Sequence, residues 1–144
     1  MIDETVQQVH LCNFVFDIAG EVVYLPQNAS LPITLKAKEY EVFTVVPVKE
    51  LSDGATFAPI GLIHMFNSGG AIKDLKYESQ TSGMVCLRVR GCGVFGAYSS
   101  IRPQRISVDG EEIDFNYAEE SRLLTLTLKT PEKELYLWNI NIQL

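Results

Sequence analysis

The chain is poor in the residues that would commit it to many common chemistries. Three cysteines in 144 residues are too few to build a disulfide scaffold. Their odd number suits free thiols and a reducing compartment, so the cytoplasm is the expected location. Lys and Arg number 12 against 18 Asp and Glu, giving a net charge of −6. That deficit of positive charge excludes nucleic acid as a partner, because phosphate binding relies on clustered cations. It equally gives no attraction to an anionic membrane surface. No apolar run approaches the roughly 20 residues that span a bilayer. The start, Met1-Ile-Asp-Glu-Thr5, is acidic and lacks the basic-then-apolar order of a secretory signal. The single sequon, Asn28-Ala29-Ser30, is then expected to stay unmodified.

Helical periodicity is also scarce, and what replaces it is alternation. Tyr136, Trp138, Ile140, Ile142 and Leu144 share one parity, and Asn139, Asn141 and Gln143 the other. This is a strand with one buried and one polar face. Leu124, Leu126 and Leu128 alternate with Leu123, Thr125 and Thr127, and Ile113, Phe115 and Tyr117 with Glu112, Asp114 and Asn116. Ile106 and Val108 lead into Asp109-Gly110, a hairpin turn in which both residues tolerate positive φ. Earlier strands are expected over residues 10–16, 21–25, 31–35, 40–46, 57–66, 71–77, 84–90 and 94–98, separated by turn residues. Residues 48–51 are a weak helix candidate too short to matter. With 47% apolar and 21% charged residues, the composition is that of a folded domain with a real core. The fold class expected is all-β, an antiparallel β-sandwich with essentially no helix. No repeat or linker divides the chain.

The motifs that could carry chemistry each have a plainer reading. Gly91-Cys-Gly93-Val-Phe-Gly96 is formally a dinucleotide fingerprint after a strand. Such a site needs a helix to begin there, yet Ala97-Tyr-Ser-Ser-Ile-Arg-Pro103 has no amphipathic period. Close backbone packing explains the glycines, and no cofactor is expected. Glu112 and Asp114 share a strand face, as a retaining glycosidase's carboxylate pair must lie about 5–5.5 Å apart. Their hairpin face also carries Asp109 and Glu111 and offers nothing to desolvate a carboxyl, so it reads as a solvated face. His10, Cys12, Cys86, Cys92 and His64 do not reproduce zinc-ligand spacing. Cys12 and Cys86 read as small buried hydrophobes, and His64 as a hydrogen-bonded histidine at the edge of the core. Trp138 would be the natural sugar-stacking residue, but its parity places it with Ile140 and Ile142 in the core. Tyr40 and Tyr98, the turn at 67–70 and the loop at 91–100 are less constrained and leave a sugar contact open. No catalytic, cofactor-binding or metal-binding residue is assigned.

The stretch Phe57-Ala-Pro-Ile-Gly-Leu-Ile-His-Met-Phe-Asn-Ser-Gly-Gly70 reads as a bent strand and turn, since Pro and Gly at that spacing do not suit a helix. Together with Tyr24-Leu-Pro26, Ser30-Leu-Pro-Ile-Thr-Leu-Lys36, Glu39-Tyr-Glu-Val-Phe-Thr-Val-Val-Pro47, the block from Arg90 to Ser100 and Glu134-Leu-Tyr-Leu-Trp-Asn139, it resembles the raffinose synthase family. That family comprises plant galactinol–sucrose galactosyltransferases, alkaline α-galactosidases and seed-imbibition proteins. The resemblance covers the family's C-terminal end, with residues 20–144 as the sandwich domain and residues 1–19 as a divergent strand region. It implies a β-sandwich that closes one side of a retaining glycoside hydrolase whose catalytic Asp residues lie on a (β/α)8 barrel. A barrel needs about 250 residues and alternating helices, which this chain lacks. The expectation is therefore a non-catalytic C-terminal fragment whose natural partner is the absent barrel. Two further roles fit the same resemblance: a stand-alone carbohydrate-binding module with a galactoside ligand, and an interaction domain that pairs with a full-length family enzyme.

Overall fold

The computed structural model describes residues 13–17, 22–26, 28–78, 83–131 and 137–144. The described chain is all β apart from a single 3-10 turn at Gly69–Ala71. In order, the strands are β1 (Asn13–Asp17), β2 (Val22–Leu25), β3 (Phe43–Pro47), β4 (Lys49–Glu50), β5 (Thr56–Leu62), β6 (Ile72–Glu78) and β7 (Met84–Arg90). They continue as β8 (Gly93–Ser99), β9 (Arg105–Val108), β10 (Glu111–Glu112), β11 (Asn116–Ala118), β12 (Leu123–Leu128) and β13 (Leu137–Gln143).

Two five-stranded antiparallel sheets, β10-β9-β13-β7-β6 and β11-β12-β8-β5-β4, face each other. From the first, Val85, Leu87, Val89, Ile106, Ile140 and Ile142 point into a shared core. From the second, Phe57, Leu62, Phe95, Leu124, Leu126 and Leu128 meet them. This is the sandwich that the alternating leucines and isoleucines predict. The Asp109-Gly110 turn also forms as expected, with φ of 50° and 87°, so both residues occupy the left-handed region that a tight two-residue hairpin requires.

A third sheet, β2-β1-β3, makes the molecule three layers deep. It covers the outer face of the second sheet, where Val46, Ala58, Ile60, Ile63 and Tyr98 form a separate buried cluster with Val22, Val48, Val94 and Leu123. Strand β5 is therefore buried on both faces. A strand so placed needs apolar residues at every position, which is why Phe57 to Leu62 shows no alternation.

A β-bulge adjusts this strand. Pro59 pairs with Ala97 and Gly61 with Gly96, so Ile60 is the extra residue. The bulge switches parity: Phe57 and Leu62 both reach the inter-sheet core, while Ala58, Ile60 and Ile63 reach the outer cluster. Gly61 takes φ of 107°, and its α-carbon lies so close to the Ser68 carbonyl that a Cβ would overlap it. The Leu62 N–H donates to that carbonyl at 3.2 Å, and the Ser68 hydroxyl donates to the Met65 carbonyl at 2.8 Å. These bonds close the turn that follows the strand.

Several expected strands differ. Residues 31–35 join no strand ladder. Strand β3 begins at Phe43 rather than at residue 40, β5 stops at Leu62, and the weak helix candidate at 48–51 is strand β4. The segment 111–118, which alternates as one strand, divides between two sheets: β10 pairs with β9, and β11 pairs with β12. Alternation records which side of the chain is covered, not which neighbour supplies the hydrogen bonds. His10 and Cys12 lie outside the described residues, as does Tyr136.

Candidate functional site

The glycines of Gly91-Cys-Gly93-Val-Phe-Gly96 serve the turn between the two main sheets. No helix follows; β8 begins at Gly93. A Cβ on Gly96 would overlap Ile63, and one on Gly91 would come 2.9 Å from Leu62 Cδ1. Gly91 and Gly93, with φ of 114° and 122°, adopt backbone that side chains rarely accept. The motif is a packing device that lets β5 and β8 approach closely.

Glu112 and Asp114 are both exposed on the hairpin edge, where solvent screens them. Cys86 departs from expectation. It lies on the outer face of β7, half-buried, because Val85, Leu87 and Val89 take the inward parity. Burial and then Glu78 push its thiol pKa up, partly offset by Lys76, so it is a poor nucleophile at neutral pH. Cys92 is an exposed free thiol in the turn. His64 is not at the core edge; it is exposed, since β5 stops at Leu62 and His64 lies in the turn beyond it, where strand parity no longer applies. Among the described residues no three His, Cys, Asp or Glu side chains converge as a metal site.

Trp138 is half-buried against the inter-sheet core. Its indole N–H donates to the Gly91 carbonyl at 2.7 Å, tying β13 to the inter-sheet turn. The ring borders a groove of about 590 Å³ shared with Val108, Asp109, Glu111, Thr127 and Lys129. There Asp109 Oδ1 already accepts from the Asn139 backbone N–H at 2.9 Å and from its amide nitrogen at 2.8 Å. This carboxylate ties β13 to the turn between β9 and β10.

A second groove, of about 480 Å³, opens where the three-stranded sheet meets the sandwich. Tyr24, Thr56, Tyr98, Glu120, Ser121 and Arg122 line it. Tyr98 is not a free loop aromatic: it is 6% exposed and lies under the 47% exposed ring of Tyr24, with centroids 6.2 Å apart and planes 29° from parallel. The turn carrying Arg122 is pinned to β8 by the Ser99 N–H, which donates to the Arg122 carbonyl at 3.0 Å. The Tyr117 hydroxyl donates to the Ser99 carbonyl at 2.9 Å from the other side. Tyr24, Tyr98 and Arg122 are far apart in the chain, and no local motif joins them, so sequence reading gives no signal for this groove.

Residues 4–128 match the family model described as raffinose synthase or seed imbibition protein Sip1. The chain belongs to this family. It is 56% identical over 128 residues to the probable galactinol–sucrose galactosyltransferase 1 of Arabidopsis thaliana, a match covering 88% of this chain and 17% of that protein. The probable galactinol–sucrose galactosyltransferase 6 of the same plant is 50% identical over 109 residues, covering 76% of this chain and 14% of that protein. The stachyose synthase of Pisum sativum is 38% identical over 112 residues, or 71% of this chain and 13% of that protein. The chain thus spans less than a fifth of the length of these raffinose synthase relatives, and it corresponds to the family's C-terminal part. No described helix is long and apolar enough to cross a membrane.

Proposed function

We propose that this chain is the non-catalytic C-terminal β-sandwich of a raffinose synthase-like glycoside hydrolase, and that its role is to brace a catalytic barrel. The observation that carries this reading is the 17% share of the relative's length that it matches, joined to the exposure of the hairpin carboxylates Glu111, Glu112 and Asp114. Exposed apolar side chains support a docked partner. Val23 and Val45 are exposed, and because both pair with residue 15 of β1 they lie on one face of the three-stranded sheet. Met65 and Phe66, 52% and 69% exposed, stand on the turn that Gly61 and Ser68 hold closed. A rigid apolar tip and an apolar sheet face are the kind of surface a large neighbouring domain covers. Free thiols at Cys86 and Cys92 fit the reducing cytoplasm, where we place the protein.

The test is an assay of the purified chain for galactosyl transfer from galactinol to sucrose and for galactose release. No turnover is expected. Turnover above a heat-treated control in either assay would overturn the reading. The same chain added to a relative's isolated barrel should restore stability to that barrel, and Val45→Asp should abolish the effect.

A further inference from the structure

The groove at the seam of the two β assemblies combines three properties that point to one class of ligand. The first is a fixed, accessible aromatic surface. Tyr24 presents nearly half of its area to solvent while resting on the buried Tyr98 ring. Stacking of this kind immobilises the platform before any ligand arrives, so little conformational entropy is lost on binding. The second is a hydroxyl-matching rim. Glu120 supplies carboxylate acceptors, Arg122 a planar fork of donors, and Ser121 a hydroxyl that both donates and accepts, while the Thr56 hydroxyl donates to that of Tyr98 at 3.5 Å. The third is charge balance. One carboxylate and one guanidinium cancel, so the lining favours neither an anion nor a cation. An apolar ring face beside a rim of mixed donors and acceptors complements a pyranose, which carries C–H groups on its faces and hydroxyls on its edge. A volume near 480 Å³ lies within the range of about 300–1,000 Å³ usual for small-molecule sites.

We propose that this groove binds a neutral saccharide, with one hexose ring against Tyr24 and its hydroxyls shared among Glu120, Ser121 and Arg122. The backbone tie from Ser99 to Arg122 and the hydroxyl bond from Tyr117 to Ser99 hold the rim in place without ligand. The role is separate from barrel bracing and is served by different side chains, so either reading can fail alone.

The experiment is an amide-resolved NMR titration of the full chain with sucrose, raffinose and D-galactose, with glucose 1-phosphate as an anionic counterpart. Saturable shifts centred on Tyr24, Ser99, Ser121 and Arg122 are expected with at least one neutral sugar. Tyr24→Ala and Arg122→Ala should each weaken that binding tenfold or more. Glu120→Gln, which leaves the Tyr24–Tyr98 stack untouched, should weaken it several-fold with an unchanged melting temperature. Trp138→Phe should leave it unaltered. The proposal is overturned if no neutral sugar gives saturable shifts, if the shifts centre on the Trp138 groove, or if glucose 1-phosphate binds more tightly than every neutral sugar. Affinity unchanged in both Arg122→Ala and Glu120→Gln would overturn it equally.

Discussion

Strands β5 and β13 are both flanked by neighbours on each side in their sheets, yet they are written in different patterns. In β13, Ile140 and Ile142 are buried while Asn139 is exposed and Asn141 and Gln143 are half-buried. In β5, every residue from Phe57 to Leu62 is buried. The difference lies in what covers the two sheets. The sheet of β13 has one face on the core and one on water, so its strands alternate. The sheet of β5 is covered on one side by its partner and on the other by the three-stranded sheet. The pattern of a strand thus reports how many of its faces are covered, and an unbroken apolar run of strand length reports two.

The largest effect is expected at the bulge that β5 contains and β13 lacks. Gly61→Val should destabilise the protein by on the order of 4 kcal/mol, since it adds left-handed strain to overlap with the Ser68 carbonyl. Urea unfolding would measure it. A change below about 1 kcal/mol would mean that the bulge relaxes without cost. Next come the two faces. Phe57→Ala and Ile60→Ala point to opposite layers and should each cost about 3 kcal/mol. In β13, Ile140→Ala should cost as much, whereas Asn141→Ala should stay within about 0.5 kcal/mol. Equal penalties at Ile140 and Asn141 would mean that the outer face of β13 is also covered.

A smaller effect is expected at Tyr117, whose hydroxyl ties the β11 segment to β8. Tyr117→Phe removes that bond and should cost about 1 kcal/mol. The same phenol gives a pH test. Burial pushes the pKa of Tyr77 up from its ordinary value of 10.0, and burial followed by Glu119 does the same for Tyr117. The folded state then holds protons that the unfolded state releases. This contribution to stability is fully present below pH 10 and is lost as pH rises through the folded-state pKa. Melting temperatures recorded from pH 8 to 11 should fall at the alkaline end, and Tyr77→Phe should flatten that fall. The smallest effect belongs to the exposed pair: Val45→Lys should change stability of the isolated chain by less than about 0.5 kcal/mol, because the side chain is already exposed. A larger loss would show that Val45 stabilises the small sheet itself.

Much of this architecture is legible from local pattern. Leu124, Leu126 and Leu128 mark the buried side of β12, Ile140 and Ile142 that of β13, and Asp109-Gly110 the hairpin between β9 and β10. The glycines from Gly91 to Gly96 are legible as packing devices, because no helix-forming sequence follows them. Parity fails where a strand ends. His64, read as a core-edge side chain because it shares parity with Ile60, Leu62 and Phe66, is exposed because β5 stops at Leu62 and the chain turns. At Cys86 residue type misleads where parity holds: read as a small buried hydrophobe, it is left on the outer face by its inward neighbours Val85 and Leu87. The candidate groove was not legible at all: Tyr24 and Arg122 converge only because β2 and the 119–122 turn are carried to the same seam.

The amino-acid sequence by itself determined the all-β class, most of the strands, the hairpin turn and membership of the family, because alternation, turn chemistry and residue blocks are local properties of the chain. Tertiary structure alone decided the third layer, the division of residues 111–118 between two sheets, the bulge that reorients β5 and the stacking of Tyr24 on Tyr98. The physical reason is that local pattern records the demand for burial, whereas the element that meets the demand is chosen by long-range packing.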